Sequence, residues 1–216
     1  MSSGTTTLDK ELQVLFGALC DGLRQEVRYR MVARKTVPNY FEVSLARVRE
    51  REKASSLYFQ LRSSGYIVQP ESYYAKGDEA LTPDFRIWLP SVPCFLFLEL
   101  KVVAWGADEQ YYFQSVLRDV AKLRDVGNAD NSNLPNGLLV IGFSRLNDHL
   151  RANGLLYNAF QDLSVKVVTK CGSYQPVDVK PVDLHHMDPK TNYAMVGLWV
   201  RKPPDNPGSV DNPRSS

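Results

Sequence analysis

The chain has 216 residues, 44% hydrophobic and 23% charged, with 26 lysines and arginines against 24 aspartates and glutamates. That length and apolar content suit one α/β domain around a single sizeable core rather than two domains or a disordered chain. A net charge of +2 excludes a uniformly basic chain, so a nucleic-acid partner would have to meet a local basic patch.

Residues 1–6 read as a short flexible tail. The start, MSSGTTTLDKE, is polar and lacks the basic-then-apolar pattern of a secretory signal. Leu8, Leu12, Leu15, Leu19, Leu23 and Val27 recur at steps of three and four and predict an amphipathic helix. Pro38 ends or kinks that segment. A second helix is expected from the N-cap residue Asn39 to about Ser64, with Gly65 as its left-handed stop. Its core stripe is Ala54, Leu57, Tyr58 and Leu61.

Residues 66–69 form a short β-rich run, and the polar stretch AKGDEALT, 75–82, reads as a loop. Residues 84–89 alternate polar and apolar, as a half-buried strand does. Pro90 to Pro93 make a turn. Residues 94–103, CFLFLELKVV, begin apolar on both faces, the pattern of a central strand. Residues 107–126 predict a helix with Tyr112, Val116, Val120 and Leu123 on one side. Residues 137–144 read as a buried strand, 146–162 as a helix, and 165–169 and 193–200 as strands. The natural architecture is a mixed central sheet flanked by helices in a single domain, 7–202. The end, PPDNPGSVDNPRSS, reads as a flexible tail over 203–216.

The informative stretch is Pro83-Asp84 followed by Glu99-Leu100-Lys101. Asp84 opens one predicted strand. Glu99 and Lys101 stand two apart on the next, so their side chains share a face. If the two strands pair as a hairpin, both carboxylates converge with the Lys101 ammonium; the sequence leaves the register open. Charged groups on a central strand are costly unless paired or metal-bound. Two carboxylates suit a hard divalent cation such as Mg²⁺. A lysine beside them suits orientation or deprotonation of a water, or stabilisation of phosphate charge. A solvated hairpin with an ordinary salt bridge is the simpler use of the same three residues.

This motif, with the α-β-β-β-α-β order over roughly residues 40–144, resembles the PD-(D/E)xK nuclease superfamily. The resemblance implies a restriction-endonuclease-like core, here with an extra N-terminal helix. It also implies one or two Mg²⁺ or Mn²⁺ ions and hydrolysis of phosphodiester bonds, most naturally in DNA. Asp84, Glu99 and Lys101 would be the catalytic residues, with Asp84 and Glu99 on the metal. Many members add a glutamate from the preceding helix as a further ligand. Glu50 is favoured over Glu52, because it lies four residues before Ala54 and seven before Leu57. A homodimer or larger nucleoprotein complex is compatible with the family. An inactive nuclease-fold subunit that binds DNA or plays a structural part, and an RNA-directed nuclease, are the competing readings.

Other signals are weaker. Gln110, Gln114, Arg118, Asp119 and Lys122 follow the motif on the predicted helix; an exposed polar face explains them most simply. Arg24, Arg28, Arg30, Arg34 and Lys35, then Arg47, Arg49, Arg51 and Lys53, form basic runs. With Tyr73, Tyr74, Tyr111 and Tyr112 they could contact phosphates and stack bases, or be ordinary surface and core. His185-His186 between Asp183 and Asp188 reads as a surface loop, and His149 as structural. No GxSxG, GxxxxGK[ST] or GxGxxG pattern occurs, so serine-nucleophile, P-loop and dinucleotide chemistry are not expected. Cys20, Cys94 and Cys171, without a CxxC pair, suit reduced thiols in the cytoplasm or wherever the DNA lies. No apolar run approaches the ~20 residues of a membrane span.

Overall fold

The computed structural model describes residues 6–36, 50–70, 74–76, 79–81, 83–104, 114–120, 134–144, 154–171, 174–184 and 193–202. The first helix, α1 (Thr7–Thr36), buries Leu12, Leu15, Leu19, Leu23 and Val27, with Leu8 partly buried beside them. It starts on a capping box: Asp9 N–H donates to Thr6 Oγ1 at 3.1 Å, and Thr6 N–H donates to Asp9 Oδ2 at 3.0 Å. The helix ends two residues before Pro38, which lies outside the described residues together with Asn39.

Asp9 also receives the ammonium of Lys202, which ties the last strand to the start of α1. That hydrogen bond, helped by the cap, holds the Asp9 carboxyl below its usual range. A depressed folded value means the pair stabilises the fold above the ordinary aspartate range and loses that contribution as pH falls through the folded value. Urea unfolding at about pH 5 and about pH 2 should therefore show Lys202→Ala losing less stability on acidification than the parent chain.

The second helix, α2 (Glu50–Ser63), packs Leu57 and Leu61 against α1 and the sheet, with Ala54 and Tyr58 partly buried alongside. Gly65 takes φ 91°, the left-handed conformation that spares a glycine any Cβ clash. Its N–H donates to the Arg62 carbonyl and that of Tyr66 to the Leu61 carbonyl, both at 3.0 Å. This double closure turns the chain directly into the sheet.

Among the described residues eight strands follow: β1 (Ile67–Pro70), β2 (Tyr74–Lys76), β3 (Glu79–Leu81), β4 (Phe85–Leu89), β5 (Cys94–Ala104), β6 (Asn136–Ser144), β7 (Tyr174–Asp183) and β8 (Tyr193–Arg201). Six form a mixed sheet in the order β1-β4-β5-β6-β8-β7, antiparallel except for the parallel pair β5–β6. A parallel pair needs a crossover. The crossover here contains helical residues 114–120, α3. The last described helix is α4 (Leu155–Cys171).

The two faces of the sheet bury different sets. Leu96, Leu98, Leu100, Leu139 and Ile141 join the α1 and α2 side chains. Leu138, Val140, Met195 and Trp199 join Val116 and Val120 of α3 and Leu156, Phe160, Leu163 and Val167 of α4. The chain is thus α/β, with helices on both faces of a mixed sheet. No described helix is long and apolar enough to cross a membrane.

Three expectations are corrected. The β-branched run 165–169 is the last part of α4 rather than a strand. Phe160, Leu163 and Val167 continue one helical stripe through it, and Thr169 Oγ1 bonds back to the Val165 carbonyl at 2.8 Å; packing overrides β propensity. The strand preceding β8 is instead β7, whose Pro176 and Pro181 obscure its sequence signal. Both are tolerated because β7 is an edge strand, with a register irregularity between Pro176 and Asp178. The expected loop 75–82 contains most of an antiparallel ribbon, β2–β3, with Lys76 opposite Glu79.

Cys20 is buried and Cys94 partly so, and both are free thiols. Burial pushes Cys20 up to about 11 and raises Cys94, so neither favours the reactive thiolate.

Candidate active site

The β4–β5 hairpin sets the geometry. Its register pairs Phe85 with Leu98 and Leu89 with Cys94. One step further along the same register brings Asp84 opposite Glu99. The Asp84 carboxylate also closes the end of the hairpin, Oδ2 accepting the Leu100 N–H at 2.7 Å. Extended by that one residue, the register leaves both acids at the same end of the hairpin.

Strand alternation then sorts the side chains. Leu96, Leu98 and Leu100 point to the α1–α2 side. Phe97, Glu99 and Lys101 point to the other side, towards α3. Glu99 is buried, at 7% exposure. Lys101 Nζ lies 2.9 Å from Asp119 Oδ2 of α3, with about a fifth of each side chain exposed (20% and 19%).

Asp119 is thus not part of a purely solvated face. Val116 and Val120 bury the helix against the sheet, and Asp119, three residues after Val116, comes round to meet the lysine. Its neighbours Gln114 and Arg118 remain exposed. Gln110 and Lys122 lie outside the described residues, as do Tyr112 and Leu123.

The position of Glu50 is clear only at the level of the backbone: it is the first described residue of α2. The side chains of Glu50 and Glu52 lie outside the described residues. Position 50 is three before Lys53 and seven before Leu57, both buried, so it is in phase with the inward face of the helix. That face packs on the Leu96–Leu100 side of the sheet, opposite Glu99 and Lys101. No described contact joins Glu50 to the two acids.

Asp84 and Glu99 provide hard oxygen donors of the kind Mg²⁺ or Mn²⁺ takes while retaining waters. Among the described residues no group of three or more His, Cys, Asp or Glu side chains gathers to hold a metal. The described residues therefore fit an ion held by two carboxylates and water.

The basic runs divide. Arg30 is buried and paired with Glu26 at 2.5 Å, and Arg24 pairs with Asp21 at 2.6 Å. Lys53 is 2% exposed, its Nζ 4.8 Å from the centroid of the Phe143 ring. Its sequence neighbourhood reads as a charged surface, yet its phase with Leu57 and Leu61 points it inward. Arg28 and Lys35 are exposed. Arg47, Arg49, Tyr73, Tyr111, His149, His185, His186 and Asp188 lie outside the described residues, as do the side chains of Arg34, Arg51 and Tyr74.

Compared with family models, with curated proteins and with solved structures, the chain matches none of them.

Proposed function

We propose that this protein is a Mg²⁺- or Mn²⁺-dependent nuclease that hydrolyses phosphodiester bonds, in DNA rather than RNA, on a restriction-endonuclease-like core. The observation that carries the reading is the β4–β5 register, which, extended by one residue, stands Asp84 opposite Glu99, with Lys101 on the same strand face as Glu99. The element order supports it: α2, β1, β4, β5, α3 and β6 follow the α-β-β-β-α-β sequence, with α1 as the extra N-terminal helix and β2–β3 as an inserted ribbon.

In this reading Asp84 and Glu99 would hold the ion, and Glu50, at the start of α2 on the other face of the sheet, would have to reach round the sheet's end to join them. The ion, when bound, supplies a Lewis acid for the phosphodiester and a more acidic water. Lys101 orients the attacking water or steadies charge on the phosphate. Asp119 holds the lysine in place.

The test is direct. Purified protein is incubated with linear, nicked, branched and single-stranded DNA, and with RNA, in Mg²⁺, Mn²⁺ or EDTA. Metal-dependent strand cleavage of DNA is the expected result; no cleavage of any substrate would leave only a binding or structural role. In the same assay Glu50→Gln should reduce the rate more than Glu52→Gln. The reverse order would show that the helical phase does not choose the ligand.

A further inference from the structure

The sheet face that carries the candidate site continues along β4 away from Asp84. Cross-strand pairing arranges it in rows. Asp84 and Glu99 form the first row, Gln69, Arg86 and Phe97 the second, and Ile67, Trp88 and Phe95 the third. Successive rows are two residues apart, a step of about 7 Å. Trp88 and Phe95 meet edge to face with centroids 4.9 Å apart. The Arg86 guanidinium lies 3.9 Å from the Phe95 ring centroid.

Two features of these rows are unexplained by folding alone. Arg86 is a cation with no carboxylate within ion-pair distance among the described residues; its side-chain hydrogen bond is a long one, 3.5 Å, to Gln69. Its Nε is buried without a hydrogen-bond partner, whereas its Nη1 end, at the bond to Gln69, is exposed and open to an anion. Ile67, at the outer end of the third row, is 63% exposed beside the aromatic pair. A phosphate satisfies a guanidinium, and a nucleobase covers an aromatic edge.

We propose that Arg86, Trp88 and Ile67 form a subsite for single-stranded nucleic acid, which takes the strand flanking the phosphodiester at Asp84 and Glu99. Arg86 receives a phosphate, and an unpaired base rests on Trp88 and Ile67. The position next to the carboxylates rests on the nuclease reading; the binding itself does not. A duplex keeps its bases stacked inside and offers this surface only its backbone. DNA and RNA strands share the required chemistry, and parallel oligonucleotides tell them apart.

The experiment uses the full chain with Asp84→Asn and Glu99→Gln together, which removes cleavage and the negative charge beside the subsite. Binding of labelled oligothymidylate, oligouridylate and a duplex of equal length is followed by fluorescence anisotropy. Adding Trp88→Ala should weaken oligothymidylate binding about tenfold, within the range for one stacked base, and change duplex binding far less. Arg86→Gln should weaken both and reduce the salt slope by about one. Ile67→Glu, at an exposed edge-strand position where folding is little affected, should weaken oligothymidylate binding by repelling the backbone. Unchanged oligothymidylate binding in Ile67→Glu and in folded Trp88→Ala would overturn the proposal. Tighter binding of oligouridylate than oligothymidylate, lost in the same variants, would keep the subsite and assign it to RNA. Failure of the parent chain to cleave, with Trp88-dependent binding intact, would remove the nuclease reading and leave the subsite standing.

Discussion

Asp84→Asn and Glu99→Gln are each expected to abolish metal-dependent cleavage and to weaken Mg²⁺ or Mn²⁺ binding while the chain stays folded. Each replaces one charged donor by an amide of the same shape, and an ion held mainly by two carboxylates has few other charged ligands to keep it. The amide at position 84 retains an oxygen able to accept the Leu100 N–H, so the hairpin end stays closed. Asp84→Ala behaves differently. Relief of repulsion between two acids by itself predicts a gain in stability. Loss of a carboxylate–amide hydrogen bond opposes it by about 1.5–3 kcal/mol, and we expect the net change to be destabilising. Titration calorimetry with Mn²⁺ and thermal melts without metal read the two effects separately. Parent-like affinity in both amide variants would remove the metal from these residues.

Lys101→Ala should leave metal and DNA binding largely intact and lower single-turnover cleavage by at least about 10²-fold, the scale for one acid–base or charge-stabilising group. Lys101 is not a metal ligand, and losing its positive charge does not weaken ion binding. Its partner gives a second handle. Asp119 lies 2.9 Å from Nζ, so Asp119→Asn should slow cleavage about tenfold by loosening the ammonium. The double variant should be no slower than Lys101→Ala alone, because groups that act as a unit are non-additive. Additive losses would mean that Asp119 acts apart from Lys101. Lys101→Arg separates the remaining roles: guanidinium keeps the charge and cannot take a proton from water. Full rescue by Arg would assign Lys101 to charge stabilisation, and partial rescue to proton transfer.

Helix phase and strand alternation carried much of the fold in the sequence itself. The stripe from Leu8 to Val27 marks the buried face of α1, and the turn from Pro90 to Pro93 separates β4 from β5. Gly65 marks the end of α2 because a left-handed residue is needed there. Glu99 and Lys101 share a face by the two-residue period alone. Other features depended on packing partners far away in sequence. Residues 165–169 have β-branched side chains, but Val167 has a helix-side core to enter, and α4 runs on through them. Pro176 and Pro181 look like strand breakers, and only the position of β7 at the sheet edge frees their missing N–H groups from the ladder. The register of β4 against β5, which sets Asp84 opposite Glu99, is a long-range pairing that no local pattern specifies. Asp119 and Lys53 make the same point for charge. Each reads as a solvated residue on a polar helix face, and each is drawn inward because the apolar residues beside it pack on the sheet. The sequence by itself determined which chemical groups are present and the face each takes on its own element. Tertiary structure decided which of those faces meet, because burial of the whole core, rather than local propensity, chooses the pairing.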